Sequence, residues 1–174
     1  RDYFANSDPK LKAALDSVMN DLRDAKEYGS ILTVAPVELT ALYARMDEIQ
    51  NDISLYRESA LNTILPLIRV ADVLAQQYDV VVTNPPYFRR GGAIPNDASA
   101  KYIARHETSA DLDDFIRAAA AQLDREGELF MVHRPDRLVD ICCSMRAQGM
   151  EPKELQMVMP FPETKPNILL IHGV

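Results

Sequence analysis

The stretch YDVVVTNPPYFRR, from Tyr78 to Arg90, decides the fold of the chain. Its three consecutive valines, followed by Thr83, are typical of a buried β-strand, because a short β-branched run bounded by turn residues fits a strand better than a helix. Pro85 and Pro86 have no backbone N–H to donate, so the strand must end before them. We therefore predict a central strand of an open α/β sheet. Tyr87 follows just beyond its carboxyl end, where ligands bind in such sheets.

The tetrapeptide Asn84-Pro85-Pro86-Tyr87 carries groups suited to the amino nitrogen of adenine. That nitrogen shares its lone pair with the ring and is a poor nucleophile unless its N–H groups are hydrogen-bonded to acceptors. The Asn84 side-chain oxygen and the Pro85 backbone carbonyl, held side by side by the stiff Pro-Pro turn, are the predicted acceptors. Tyr87 and Phe88 offer aromatic faces to a base that has left its stack. The alternative is a turn that only ends the strand.

A motif of Asp or Asn, then Pro-Pro and an aromatic residue, placed after a hydrophobic strand, resembles the signature of amino-group methyltransferases. Residues 78–174 contain NPPYF, KYIARHE, MVHRPDRLVDI and NILLIHG. These segments resemble the bacterial tRNA adenine-N6 methyltransferases that modify the anticodon loop of a valine tRNA. Residues 24–87 contain DAKEYGSILTV and LAQQYDVVVTNPPY, which resemble the adenine-specific DNA methyltransferases of phage-defence (BREX) systems. The two resemblances imply the same chemistry on different nucleic acids.

The resemblance implies that Asn84, Pro85, Pro86 and Tyr87 form the catalytic site, and that Asn84 also contacts the cofactor S-adenosyl-L-methionine. Such enzymes normally bind this cofactor at a Gly-rich turn after the first strand of the sheet. No G-x-G occurs in the sequence, so the main cofactor-binding loop is not found in this chain. We therefore expect the substrate-side portion of an enzyme, a fragment of a longer protein that is inactive by itself.

The segment after the tetrapeptide is locally basic and is predicted to bind the substrate, which is tRNA or DNA. Between positions 89 and 106, Asp97 is outnumbered by basic residues, namely Arg89, Arg90, Lys101 and Arg105. Arg89 and Arg90 are expected to contact phosphates, which bind such side chains. Phe88 and Arg134, which follows a later strand, complete the predicted substrate-binding set. The alternatives are an ordinary solvated loop and, for Arg134, an ion pair with a neighbouring acid.

Composition limits the other classes of function. The net charge of −7 argues against strong nonspecific binding of nucleic acid by this chain alone. No apolar run approaches the length of a membrane span, so no membrane partner is expected. The two cysteines, Cys142 and Cys143, are adjacent and have neither metal-ligand nor disulfide spacing. We expect a cytoplasmic protein without a metal site, and the sequence gives no oligomeric state.

The expected fold is α/β, with a mainly helical segment (residues 1–77) before the C-terminal half of a Rossmann-like methyltransferase sheet (residues 78–174). In the first segment, apolar spacing predicts three helices, with a kink or split at Pro66. The β-branched residues 30–34 are expected to form an edge strand. In the second segment, the predicted order is strand, helix, strand, helix, and a final antiparallel hairpin.

A noncatalytic function is the alternative from another class. The helical segment would then serve protein contacts, and the NPPY turn would be a relic in a methyltransferase-like interaction module that lacks the cofactor-binding half. The two hypotheses differ in whether the chain binds ligands at the turn.

Overall fold

The computed structural model describes residues 1–87 and 110–174. The chain divides into two compact units, Arg1–Gln76 and Gln77–Val174, and each unit has its own buried core. Among the described helices, none is both long and apolar enough to cross a membrane.

The first unit consists of helices. They are α1 (Asp2–Ala5), α2 (Pro9–Asp21), α3 (Ala25–Tyr28), α4 (Leu39–Gln50) and α5 (Arg57–Ala75). The predicted start of α2 is confirmed, since Pro9 is its first residue and the Asp8 carboxylate accepts a hydrogen bond from the Lys10 backbone N–H at 2.7 Å. This cap satisfies a donor that the helix itself leaves unpaired. The apolar faces meet in a core whose fully buried members are Phe4, Leu15, Val18, Leu42, Ile49 and Ile68.

The structure of this unit differs from the predictions at residues 30–34 and at Pro66. Residues 30–34 do not form a strand, because Gly29–Ile31 is a short 3-10 helix and residues 32–34 have no regular secondary structure. The unit offers no strand with which this β-branched segment could pair, so its local propensity is overridden. Helix α5 runs through Pro66 as one helix, so the predicted split is wrong, whereas the alternative of a kink stays a prediction. Pro66 and Asn62, whose carbonyl loses its helical partner, are both exposed, so water can solvate that carbonyl.

The second unit contains the sheet. Its strands are β1 (Tyr78–Thr83), β2 (Leu123–His133), β3 (Pro152–Val158) and β4 (Ile168–Gly173). Its described helices are α6 (Leu112–Gln122) and α7 (Leu138–Ala147), and a 3-10 turn at Pro135–Arg137 precedes α7. The α/β class and the predicted order of these elements are confirmed.

The acidic start of α6 forms a capping box. The Asp111 side chain accepts a hydrogen bond from the Asp114 backbone N–H, and the Asp114 carboxylate accepts one from the Asp111 backbone N–H, both at 3.0 Å. These bonds satisfy donors that the first helical turn leaves free, and the negative charges suit the helix dipole. The segment 110–114 therefore fixes where the chain enters α6.

The four strands lie in the order β1-β2-β4-β3. Strands β1 and β2 are parallel, and Thr83 pairs with Met131 near their carboxyl ends. Strand β4 is antiparallel to both β2 and β3, so the predicted final hairpin is confirmed. This is the arrangement expected for the C-terminal half of a Rossmann-like methyltransferase sheet. Because β1 and β2 run the same way, the residues that follow both strands meet at one edge of the sheet.

The described elements of this unit cover one face of the sheet. Helices α6 and α7 pack against a set of buried strand residues on that face, which are Leu129, Met131, Leu169 and Ile171. The side chains of the opposite face keep much of their surface accessible, namely Val80 (48%), Val82 (73%), Phe130 (38%) and Leu170 (36%). We call this set the open face. It is an apolar surface of the kind that folded domains usually cover.

The prediction that the valine strand is central and buried is wrong for the described structure. Strand β1 lies at the edge of the described sheet and pairs only with β2. Parallel strands normally have both faces covered, and their sequences are therefore apolar on both sides. The valine run has that composition, but the described residues provide β1 with one strand neighbour and one covered face.

Candidate functional site

The tetrapeptide Asn84 to Tyr87 directly follows β1, as the sequence predicts. Asn84 is exposed, Pro85 is buried, and Pro86 and Tyr87 are half-buried. The prolines end the strand because they cannot donate to a ladder, and Pro85 fixes the turn to the body of the unit. An amide side chain open to solvent thus stands on a stiff, anchored turn, where its oxygen can accept a hydrogen bond from a ligand.

The end of β2 lies beside this turn. His133 is the last residue of β2, two positions after the Met131 that pairs with Thr83. The rings of Tyr87 and His133 meet edge to face, with centroids 5.4 Å apart and planes at 81°. The structure therefore brings the tetrapeptide and His133 together at the carboxyl edge of two parallel strands. Ligands bind at this edge in open α/β sheets.

Sequence reasoning gave His133 no role in the site, yet it is fully buried. The Arg134 backbone N–H donates a hydrogen bond to His133 Nδ1 at 2.8 Å, and Nε2 is buried without a hydrogen-bond partner among the described residues. Burial lowers the pKa of His133 below its usual value, and the positive charge of Arg137 lowers it further. The backbones of Pro86 and Arg134 and the charge of Asp136 oppose that shift. A signal was present in the sequence, because residues 129, 131 and 133 alternate onto one face of the strand.

Arg134, a predicted substrate contact, is half-buried just after β2. Its Nη1 donates a hydrogen bond to the backbone carbonyl of Asn167 at 3.2 Å. Among the described residues, Arg134 forms no ion pair with Asp136, and the neighbouring Arg137 pairs with Asp140. One nitrogen of the guanidinium is therefore used to hold the segment before β4, and a contact with the substrate stays a prediction.

The other predicted substrate-binding residues, Phe88, Arg89 and Arg90, lie outside the described residues, as does the rest of the basic segment up to position 106. The described site therefore consists of Asn84, Pro85, Pro86 and Tyr87, with His133 beside them. Their roles in catalysis and binding remain predictions.

The described residues do not fit S-adenosyl-L-methionine as its main binding site. A backbone cradle for this cofactor needs glycine where the chain approaches the ligand closely. In the described part of the second unit, a Cβ atom on Gly127 would lie 3.1 Å from the Tyr78 carbonyl oxygen, and one on Gly173 would run into the Met145 side chain. Gly149 has a φ of +81° just after α7. These glycines serve packing and helix termination, and none forms a cradle beside Asn84.

Comparison with known proteins supports the predicted resemblance, although no family model matches the chain. The chain is 32% identical over 99 residues to a tRNA1(Val) (adenine(37)-N6)-methyltransferase of Parabacteroides distasonis, covering 55% of this chain and 40% of that protein. It is 30% identical over 95 residues to the enzyme of the same name from Porphyromonas gingivalis strain W83, covering 55% and 36%. It is also 33% identical over 89 residues to the adenine-specific methyltransferase BrxX of Escherichia coli O9:H4, covering 48% and 7%. The predicted resemblance to both groups is confirmed.

The matches are partial. The chain spans about two-fifths of the length of the two tRNA-modifying relatives and a small part of BrxX. Among solved structures, a predicted O-methyltransferase of Agrobacterium tumefaciens aligns with 68% of this chain and 55% of its own, at 17% identity and a TM-score of 0.38. The matched regions are therefore similar to parts of proteins named as tRNA adenine-N6 methyltransferases and as an adenine-specific methyltransferase.

Proposed function

We propose that this chain supplies the acceptor side of an S-adenosyl-L-methionine-dependent methyltransferase that modifies the N6 amino group of adenine in a nucleic acid. The observation that carries the proposal is the position of the NPPY turn, where the exposed Asn84 follows a parallel strand and the buried Pro85 anchors it. The similarity to relatives named as adenine-N6 or adenine-specific methyltransferases supports the same chemistry.

In this proposal, the turn binds the amino group of adenine through its two N–H bonds. The Asn84 side-chain oxygen accepts one hydrogen bond and the Pro85 carbonyl accepts the other. Both bonds strengthen as positive charge develops on the nitrogen, which stabilises the transition state more than the ground state. Tyr87 is half-buried, so part of its ring remains open for stacking on the base. The amino nitrogen loses its proton after the transfer, so no dedicated base is needed.

The methyl donor is not assigned to the described residues. S-adenosyl-L-methionine would supply an electrophilic methyl group, and the proposal requires that other residues hold it in line with the amino nitrogen. The proposed role of this chain is therefore to bind and orient the acceptor. Its proposed substrate is tRNA, which the names of the tRNA-modifying relatives support, or DNA, which the resemblance to BREX-type adenine-specific methyltransferases supports.

Nucleoside binding provides the sharpest test. Adenosine and purine riboside differ only by the 6-amino group, so their relative affinity for the chain reports on contacts to that group. We expect the chain to prefer adenosine by about 3- to 10-fold, which corresponds to one ordinary net hydrogen bond. The preference is measured by NMR titration of the Asn84 side-chain amide and the Tyr87 backbone amide.

Two variants at Asn84 provide the matched comparison. Asn84→Asp keeps an acceptor oxygen at the same position and should keep the preference, whereas Asn84→Ala should reduce the affinity ratio to about 1. Asn84 is exposed in the turn, so neither substitution should affect the fold. Equal affinity of the unmodified chain for the two nucleosides, or no binding of either, would refute the role of the turn and favour the noncatalytic module.

A second experiment tests the proposal that this chain binds only the methyl acceptor and does not transfer the methyl group by itself. The chain is incubated with labelled S-adenosyl-L-methionine and with either tRNA or duplex DNA, and no label should be transferred. Label transfer that Asn84→Ala abolishes would overturn this restriction, because it would require a complete donor site within these 174 residues.

A further inference from the structure

Among the described residues, His133 is a buried polar residue that contacts the NPPY turn and that the proposed chemistry leaves unused. It ends β2, has no exposed surface, and meets the ring of Tyr87 edge to face. Its position on β2 is paired with Leu169 of β4, and β1 pairs with β2 as far as Met131, two residues earlier. The imidazole therefore lies between the sheet and Tyr87, the last residue of the tetrapeptide.

The hydrogen bonds of the ring determine which nitrogen carries the proton. Nδ1 accepts a hydrogen bond from the Arg134 backbone N–H at 2.8 Å, so Nδ1 is unprotonated. Because burial and Arg137 lower the pKa of the ring, it is neutral near pH 7, and its proton lies on Nε2. This Nε2–H group is buried and has no acceptor of normal geometry among the described residues. Such groups are rare in folded proteins and call for an explanation.

The Pro86 carbonyl is the candidate acceptor. The Pro86 backbone raises the pKa of the ring and a proline has no backbone N–H, so the carbonyl is the group that acts on the imidazole, although it forms no hydrogen bond of normal geometry with it. Pro86 lies between the two parts of the turn that matter for binding, since Pro85 precedes it and Tyr87 follows it. A hydrogen bond to this carbonyl would fix the peptide that joins Pro86 to Tyr87, because that peptide is planar and moves as one body.

We propose that His133 is a positioning residue for the NPPY turn, with its Nε2–H directed at the Pro86 carbonyl and its ring supporting the edge of Tyr87. The proposal deepens the proposed function and rests on it for the identity of the ligand, adenine. His133 does not touch the base. It fixes Pro86 and Tyr87 from the inside of the unit, so that the acceptor groups of Asn84 and Pro85 keep the spacing of the two amino hydrogens.

The pH dependence of the amide resonances tests which ring nitrogen of His133 carries the proton in the neutral form. A second proton enters the ring at Nδ1, where it displaces the Arg134 N–H donor. The charged groups that act on the ring are Arg137, which opposes protonation, and Asp136, which favours it. The resonances of the Arg134 and Tyr87 amides should therefore titrate together, with a midpoint below the usual His value of 6.5.

The experiment uses the intact chain with 15N-labelled histidine and four variants. Nitrogen shifts should identify the Nε2–H form of His133 at pH 7.5. His133→Gln places a donor near the position of Nε2, whereas His133→Asn places its polar group near Nδ1 and His133→Phe keeps only a ring. In His133→Gln, we expect the resonances of Asn84 and Tyr87 to stay near those of the unmodified chain. In His133→Asn and His133→Phe, we expect the same resonances to shift. The preference for adenosine over purine riboside should fall by about threefold or more in the Asn and Phe variants, and by less than that in the Gln variant.

His172 is the matched control. Its Nε2 is also buried and forms no hydrogen bond with the described residues, although the Glu128 carboxylate lies 3.7 Å away, and its ring stacks on Phe130 at 4.5 Å, on the open face. His172→Gln should leave the Asn84 and Tyr87 resonances unchanged. Either of two results would overturn the proposal and leave His133 as a packing residue. One is a proton on Nδ1 of His133, and the other is that the turn resonances of His133→Phe match those of the unmodified chain. If the unmodified chain shows no preference between the nucleosides, the proposed function fails, while the shifts of the turn still decide the positioning role.

Discussion

The open face leads to a prediction at Val82. Val82→Thr keeps the shape and the β-branch of the side chain and replaces one methyl group with a hydroxyl. In a fully buried site this change costs about 1–3 kcal/mol, because the hydroxyl loses its hydrogen bonds to water. Val82 keeps 73% of its surface exposed, so about a quarter of that penalty should remain, or about 0.3–0.8 kcal/mol. The adjacent Val81 packs against the core under the helices, and Val81→Thr should therefore cost about 1–2 kcal/mol.

Urea titration followed by NMR measures both costs. The two units have separate cores and can unfold separately, so the amide signals of α6 and β2 must be followed instead of a signal from the whole chain. The titration is repeated at a tenfold lower protein concentration to detect self-association through the open face. A cost for Val82→Thr equal to that for Val81→Thr, at both concentrations, would refute the reasoning, because the open face would then be covered within the single chain.

Four further predictions concern stability. Gly173→Ala should destabilise the second unit by about 1–3 kcal/mol in urea titration, because the added Cβ runs into the fully buried Met145 side chain. Asp111→Ala should cost about 1 kcal/mol by removing the N-cap of α6. Hydrogen bonding to the Asp111 backbone lowers the pKa of Asp114 below 3.8. The ionised Asp114 therefore contributes to stability above pH 3.8, and this contribution is lost as the pH falls through the lower pKa of the folded state. Asp114→Asn should flatten this dependence of stability on acid pH. The pKa of His133 is also lowered in the folded state, so as the pH falls the imidazole is protonated first in the unfolded chain. The free energy of unfolding should therefore decrease as the pH drops below 6.5 and level off below the pKa of the folded state. His133→Gln should remove this slope between about pH 5 and 8.

The parts of the fold that depend on local chemistry could be predicted from the sequence. Asp8-Pro9 specifies the start of α2 because its cap bonds form within three residues. The acidic start of α6 and the end of β1 at the prolines are equally local. The final hairpin could be predicted because its two strands are close in sequence and the second, β4, is mainly apolar. In each case, the residues that determine the structure are neighbours in the chain.

The features that depend on distant partners could not be predicted. Residues 30–34 have β-branched side chains, but a strand needs another strand beside it, and the first unit contains none. The valine run suits a strand covered on both faces, so its composition could not indicate that β1 lies at the edge of the described sheet. The sequence indicated that His133 ends a strand near the predicted site, but its contact with Tyr87 depends on the parallel pairing of β1 with β2, which joins segments about 45 residues apart.

The open face and the missing donor cradle have the same structural origin. A ligand site at the carboxyl edge of a parallel sheet forms between neighbouring strands, so it needs a strand on each side of the crevice. On one side of β1, strand β2 brings His133 to the NPPY turn. On the other side, the described residues leave the edge of β1 unpaired and Val80 and Val82 exposed. Under the proposed function, a parallel strand added at that edge would cover the valines through its connecting segment and would place the residues after it opposite Asn84. One addition would therefore complete both the apolar core and the methyl-donor site.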